Sequence, residues 1–273
     1  MLLAIVLLAA VLPAFILLYF IYRKDKIRPE PPKQILLAFL MGMLSVPASL
    51  LISLPMIALG VAPEQAVTVG EHLRTALFGA AIPEELAKFF LLWLFLRKNR
   101  YFDERVDGIV YAACVGLGFA AVENIEYLLL NFDSWVLTGA LRALSAVPAH
   151  FLFAVTMGYF YSVAYFGDPA RSRRNYILAV LVPLLLHGLY DFPVMVADLP
   201  GLAIVSFLSV GVLAFMFVRG RKYFKAHQAV DARTAAVDEI IRTELEDAAD
   251  GKRDNPVGDV IHLPERLDDE SAI

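Results

Sequence analysis

Long apolar runs alternate with short polar connections along the whole chain. Seven runs are long enough to cross a bilayer: residues 2–22, 34–59, 75–96, 106–130, 137–166, 176–196 and 202–218. About 20 largely apolar residues in a helix rising about 1.5 Å per residue span the hydrocarbon core. The pattern therefore predicts an all-α integral membrane protein, a bundle of about seven transmembrane helices. Little chain is left for a soluble domain, so residues 1–220 read as one polytopic membrane domain and 221–273 as a tail.

The polar connections predict the orientation. Lys and Arg gather in RKDKIRPEPPK after the first run, RKNRYFDER after the third, ARSRR after the fifth and RGRKYFK after the seventh, whereas NFDSW and ADLPG carry none. Basic connections stay cytoplasmic, which places the N-terminus outside and the C-terminus in the cytoplasm of a multi-pass protein of the cell (plasma or inner) membrane. The first run has no basic residue before it and a basic cluster after it, and so reads as a retained span instead of a signal peptide.

Composition adds detail. The chain is 59% apolar with a mean hydropathy of +0.64, which excludes an ordinary soluble domain. Its net charge of −4 conceals a split, because residues 231–273 hold 13 acidic against 5 basic side chains. An acidic cytoplasmic tail is predicted, with a short amphipathic helix over 231–249 and disorder beyond it. The single cysteine, Cys114, allows no intrachain disulfide and reads as packing. No internal repeat of the kind common in transporters is visible.

The candidate chemistry lies in polar residues inside the spans, where each ionisable group costs roughly 2.5 to 3.5 kcal/mol and tends to face an interior cavity. In AAIPEELAKFF, Pro83 suits a first helical turn, and Glu84 and Glu85 both fall within reach of Lys88. One lysine neutralises one carboxylate, which leaves the other for a general base or a cation. An isolated Glu–Lys pair could equally tie two helices together. In GFAAVENIEY, Glu123 and Asn124 follow Phe119 by one turn. In LLLHGLYDF, His187 and Asp191 share a helical face, and His150 adds an imidazole from another span. Counted along helices, all these groups fall in the central to outer part of the bilayer. Glu126 reads as facing the outer interface, Arg142 as snorkelling there, and His72, His227 and His262 as lying in a loop or the tail.

PEELAK, GFAAVEN, HFLFAVTMG and LLHGLYD, in this order, resemble the PrsW family of intramembrane proteases, usually classed as metalloproteases; the likeness covers roughly residues 75–195. The wider superfamily includes the type II CAAX prenyl endopeptidases and bacteriocin-processing proteins, with EExxxR, FxxxH and HxxxN or HxxxD. This chain departs from that pattern at Lys88 and at Glu123, where histidine is expected, and both departures match the PrsW branch. The resemblance implies hydrolysis of membrane-anchored protein substrates, of the kind that cleaves an anti-sigma factor. Two schemes stay open: Glu84 or Glu85 as base with Zn²⁺ held by Glu123, His150, His187 and Asp191, or a metal-free reaction in which a glutamate activates water and the histidines hold the oxyanion. Lys88 tunes the carboxylate pair in either.

HExxH, a rhomboid-like GxSG and a presenilin-like GxGD are all absent. The competing readings are a proton- or cation-coupled transporter and a non-catalytic scaffold built on the same polar cavity. Nothing in the chain calls for nucleic acid, and the sequence names no substrate, cleavage site or oligomeric state.

Overall fold

A computed structural model describes residues 1–24, 27–197 and 199–249, and among these it contains helices and no strand. The helices are α1 (Leu2–Tyr22), α2 (Pro32–Ala58), α3 (Val69–Arg74), a π-helical segment (Thr75–Ala81), α4 (Ile82–Leu96), α5 (Arg105–Leu130), α6 (Trp135–Leu144), α7 (Ala146–Phe166), α8 (Pro169–Val196) and α9 (Phe207–Ala249). Six helical stretches are long and apolar enough to cross a membrane. Residues 75–96, expected as one span, are not among them. There the helix is interrupted by its π-helical start and diluted by Glu84, Glu85 and Lys88.

Proline explains that interruption. Pro83 has no N–H to donate, and its ring crowds the preceding turn. The chain widens just before it, where the Ile82 N–H reaches back five residues to the Leu77 carbonyl. The entry to this stretch is fixed by Thr68 and Glu71, which cap α3 reciprocally. The adjacent α8 comes close enough that a Cβ on Gly188 would lie 2.6 Å from Leu77 Cδ2. The widened turn is thus packed from outside as well as opened from within.

At the centre lies α5, buried along most of its length and packed against α2 and α7. In a membrane, close packing rather than the hydrophobic effect must hold helices together, and small residues permit it. A side chain on Gly108 would strike Ser162, one on Gly158 would strike the Gly108 carbonyl, and one on Gly42 would strike the Val115 carbonyl. Cys114 is fully buried in this packing, as expected.

Two expectations change at the ends of helices. The fifth run, 137–166, breaks at Ser145 into α6 and α7. The helix expected over 231–249 is continuous with the last span in α9, and His227 stacks on Tyr159 of α7 at 4.7 Å instead of lying in a loose tail. His72 is likewise helical and buried, within α3. The predicted disorder beyond 249, and His262, fall outside the described residues.

Candidate active site

Four helices bring the polar residues together. Pro83 sets α4 so that Glu84, Glu85 and Lys88 come from its first two turns, while α7 contributes His150 from its own first turns. Glu123 and Asn124 lie late in α5, and His187 and Asp191 late in α8. Because α4 and α7 start where α5 and α8 end, residues far apart in sequence share one depth. All seven predicted site residues, Glu84, Glu85, Lys88, Glu123, His150, His187 and Asp191, join a single hydrogen-bonded cluster.

Lys88 is its hub. The ammonium lies 2.8 Å from Glu85 Oε1, 3.3 Å from Glu84 Oε2 and 3.2 Å from His150 Nδ1, and it sits over the Phe119 ring at 4.0 Å. Its three donors are therefore matched by three acceptors. Glu85 Oε1 also meets His187 Nδ1 at 2.9 Å, and the Phe153 ring stacks on that imidazole at 4.6 Å. His187 Nε2 faces the other way, 3.1 Å from Asp191 Oδ2 and 3.9 Å from Glu84 Oε2. His150 Nε2 lies 2.7 Å from Glu123 Oε2.

Exposure divides the cluster. Glu85 is 0% exposed and the Lys88 side chain 2%, whereas the side chains of Glu84, Glu123 and Asp191 keep 14%, 18% and 19%. One wall is sealed and the other is open. The two histidines stand between them.

Sequence reasoning missed Arg142. Instead of snorkelling to the interface it turns inward, with Nη2 2.8 Å from Glu123 Oε2 and Nε 2.6 Å from Asn124 Oδ1. Its guanidinium also covers the Tyr127 ring at 3.8 Å. Asn124 in turn donates to the Ala10 carbonyl of α1, so this chain of contacts ties α6, α5 and α1 together. The signal available was the adjacent Glu123–Asn124 pair, which presents the two acceptors a guanidinium fork matches. Glu126 is exposed.

The donor set suits a divalent cation. Glu84, His150 and His187 each offer a ligand atom, all within 4.8 Å of one another. Four carboxylates face only one ammonium and one guanidinium, and Glu85 Oε2 is enclosed without a hydrogen-bond partner. The surplus of negative charge in a poorly solvated place calls for compensation by a cation or by protons. Two imidazoles with one carboxylate form a donor set found at catalytic zinc.

Known proteins resemble this chain over the same region. A model of the family described as PrsW family intramembrane metalloprotease matches residues 30–219. Protease PrsW of Geobacillus kaustophilus is 40% identical over 185 residues, 67% of this chain and 77% of that protein. Protease PrsW of Clostridioides difficile is 37% identical over 194 residues, 69% and 79% of the two chains. That of Bacillus subtilis is 34% identical over 184 residues, 67% and 80%. No solved structure matches. With its four linked motifs gathered into one cluster and this extent of likeness, the chain belongs to the PrsW family of intramembrane metalloproteases, a multi-pass membrane peptidase.

Proposed function

We propose that the chain hydrolyses peptide bonds of single-span, membrane-anchored regulatory proteins at the open wall of this cluster. Glu84 is the reacting member of the glutamate pair and Glu85 the positioning member. The observation that carries this is the difference in surroundings: Glu85 spends one oxygen on Lys88 and His187 inside the sealed wall, while Glu84 meets the open side within reach of both imidazoles.

Glu84, His150 and His187 are the residues that would hold the cation, and Zn²⁺ is the ion their chemistry favours. When bound, such an ion polarises a carbonyl and acidifies its water. The chain's own groups do the remaining work. His187 donates Nδ1–H to Glu85, which aims Nε2 toward the open side. Asp191, which touches His187 and is paired with neither Lys88 nor Arg142, is placed to take a proton from water and return it to the leaving amine. Arg142 holds Glu123 and Asn124 in place at the rim.

One observation favours a metal-free variant of the same reaction. Both nitrogens of His150 are already engaged, by Lys88 and by Glu123. In that variant Glu84 itself takes the proton from water, and the histidines steady the oxyanion. Glu84 serves the reaction in both, holding the cation in the first and taking the proton in the second.

Seven spans with the N-terminus outside and the C-terminus cytoplasmic are part of this proposal. The support is that connections expected on one side meet in space: Arg28, before α2, pairs with Asp103 and Glu104, before α5, and with Asp238 of α9. Arg105 Nη2 likewise donates to the Phe166 carbonyl at the end of α7. Residues 28 and 103 share a side only if residues 75–96 return across the membrane. Residues 1–220 then form the protease domain, and the rest of α9 extends into the cytoplasm.

The test is cleavage of candidate single-span substrates by purified protein in vesicles, with metal content measured alongside. Activity lost on chelation and restored by zinc is expected, with both lost in His187→Ala. Cleavage undiminished in Glu84→Gln and His187→Ala would overturn the assignment, and full activity in rigorously metal-free protein would select the second reading.

A further inference from the structure

Away from the active site, α1, α7 and α9 enclose a groove of about 310 Å³. Its floor is apolar, with Phe151, Leu152 and Val155 from α7 and Phe217 from α9. Gly220 contributes no side chain to it: a Cβ there would lie 3.3 Å from Val155 Cγ1. At one end the lining changes character. Lys24 of the α1 connection and Arg221 and Lys225 of α9 line it, with Gln228 and no carboxylate.

These cations stand where both helices pass from apolar to basic sequence, FIYRK on α1 and FVRGRKYFK on α9. That transition marks a membrane boundary. All three side chains are exposed, and among the described residues none forms a salt bridge; Asp25, next to Lys24 in the chain, lies outside them. Lys24 Nζ lies 5.2 Å from the Phe20 ring and Arg221 Cζ 5.8 Å from that of Phe217, so both charges sit beside the groove's aromatic rings. A positively charged mouth over an apolar slot at the level of headgroups matches a molecule with one anionic end and a hydrocarbon body.

We propose that this groove binds an anionic phospholipid, its phosphate on Lys24, Arg221 and Lys225 and an acyl chain along α7 and α9. The site is separate from the catalytic cluster and shares none of its residues. It joins the first helix to the last, and the bound lipid would hold the two together at the membrane boundary.

Full-length protein reconstituted in vesicles of phosphatidylcholine with phosphatidylglycerol, extracted in mild detergent and analysed for retained lipid, tests this. Wild type should retain phosphatidylglycerol above its share in the vesicle. The triple variant Lys24→Gln, Arg221→Gln, Lys225→Gln should weaken retention on the order of a hundredfold and so abolish that enrichment, since each cation near the headgroups contributes about 1 kcal/mol. Single variants Arg221→Gln and Lys225→Gln should each lose roughly fivefold or less. A control with equal charge removed elsewhere, Arg97→Gln, Lys98→Gln, Arg100→Gln, should behave as wild type. Equal losses in the groove and control variants, or no loss in the groove variants, would overturn the proposal. Release of the lipid's advantage by excess inorganic phosphate alone would overturn the phospholipid as occupant.

Discussion

Glu84 and Glu85 are neighbours in the chain and differ in almost everything else. Glu85 has no exposed surface and shares one oxygen between Lys88 and His187, while Glu84 keeps part of its side chain open beside Asp191 and the imidazoles. The same contrast separates the two walls of the cluster: Lys88, Phe119 and Phe153 on the sealed side, Glu123, Asp191 and Arg142 on the open one. Successive residues on a helix point about 100° apart, so one turn of α4 can serve both walls. A membrane protease needs both, because fixed charges must be shielded from lipid while the scissile bond and water must enter.

The largest expected effect falls on the open wall. Replacing Glu84 by Gln, nearly isosteric, should lower cleavage at least about a hundredfold with little change in melting temperature, since it removes either a ligand of the catalytic ion or the group that takes water's proton. Replacing Glu85 by Gln should act differently, costing about 3 kcal/mol of stability because a buried ammonium loses its closest carboxylate. Thermal melts in detergent separate these outcomes. If both variants melt like wild type, the two walls are not physically distinct.

Smaller effects sharpen the boundary between the walls. Arg142→Gln should lower cleavage roughly tenfold by freeing Glu123, while Arg142→Lys should recover little, because a lysine cannot reproduce the fork that meets both Glu123 and Asn124. Equal activity of both variants and wild type would show that the rim needs no clamp. The smallest effect is expected far from the cluster. Asp231 accepts the backbone N–H groups of Arg105 and Val106, capping α5 from α9. Asp231→Ala should cost about 1 kcal/mol of stability and leave substrate affinity unaltered, as measured by melting and by KM.

Much of this was legible in the sequence because the bilayer penalises misplaced charge so heavily. PEELAK, GFAAVEN, His150 and LLHGLYD stand out from apolar surroundings, and the cluster contains every residue they nominate. Arg142 was not legible, since a basic residue near the end of a span ordinarily snorkels; only the break at Ser145 turns α6 so that it reaches inward. Nor could periodicity distinguish Glu84 from Glu85, both one turn from Lys88. Their separation depends on His187 arriving from α8, a contact across 102 residues. The continuity of α9 was hidden by the change from apolar to charged sequence, which the helix crosses without ending.

The most direct measurement compares Glu84→Gln with Glu85→Gln for thermal stability and cleavage of one single-span substrate in the same vesicles. Glu84→Gln should melt as wild type and cleave at least about a hundredfold more slowly, with Glu85→Gln melting well below both. Wild-type cleavage by Glu84→Gln, or a Glu85→Gln variant as stable as wild type, would contradict the division of the cluster into a reacting wall and a supporting one.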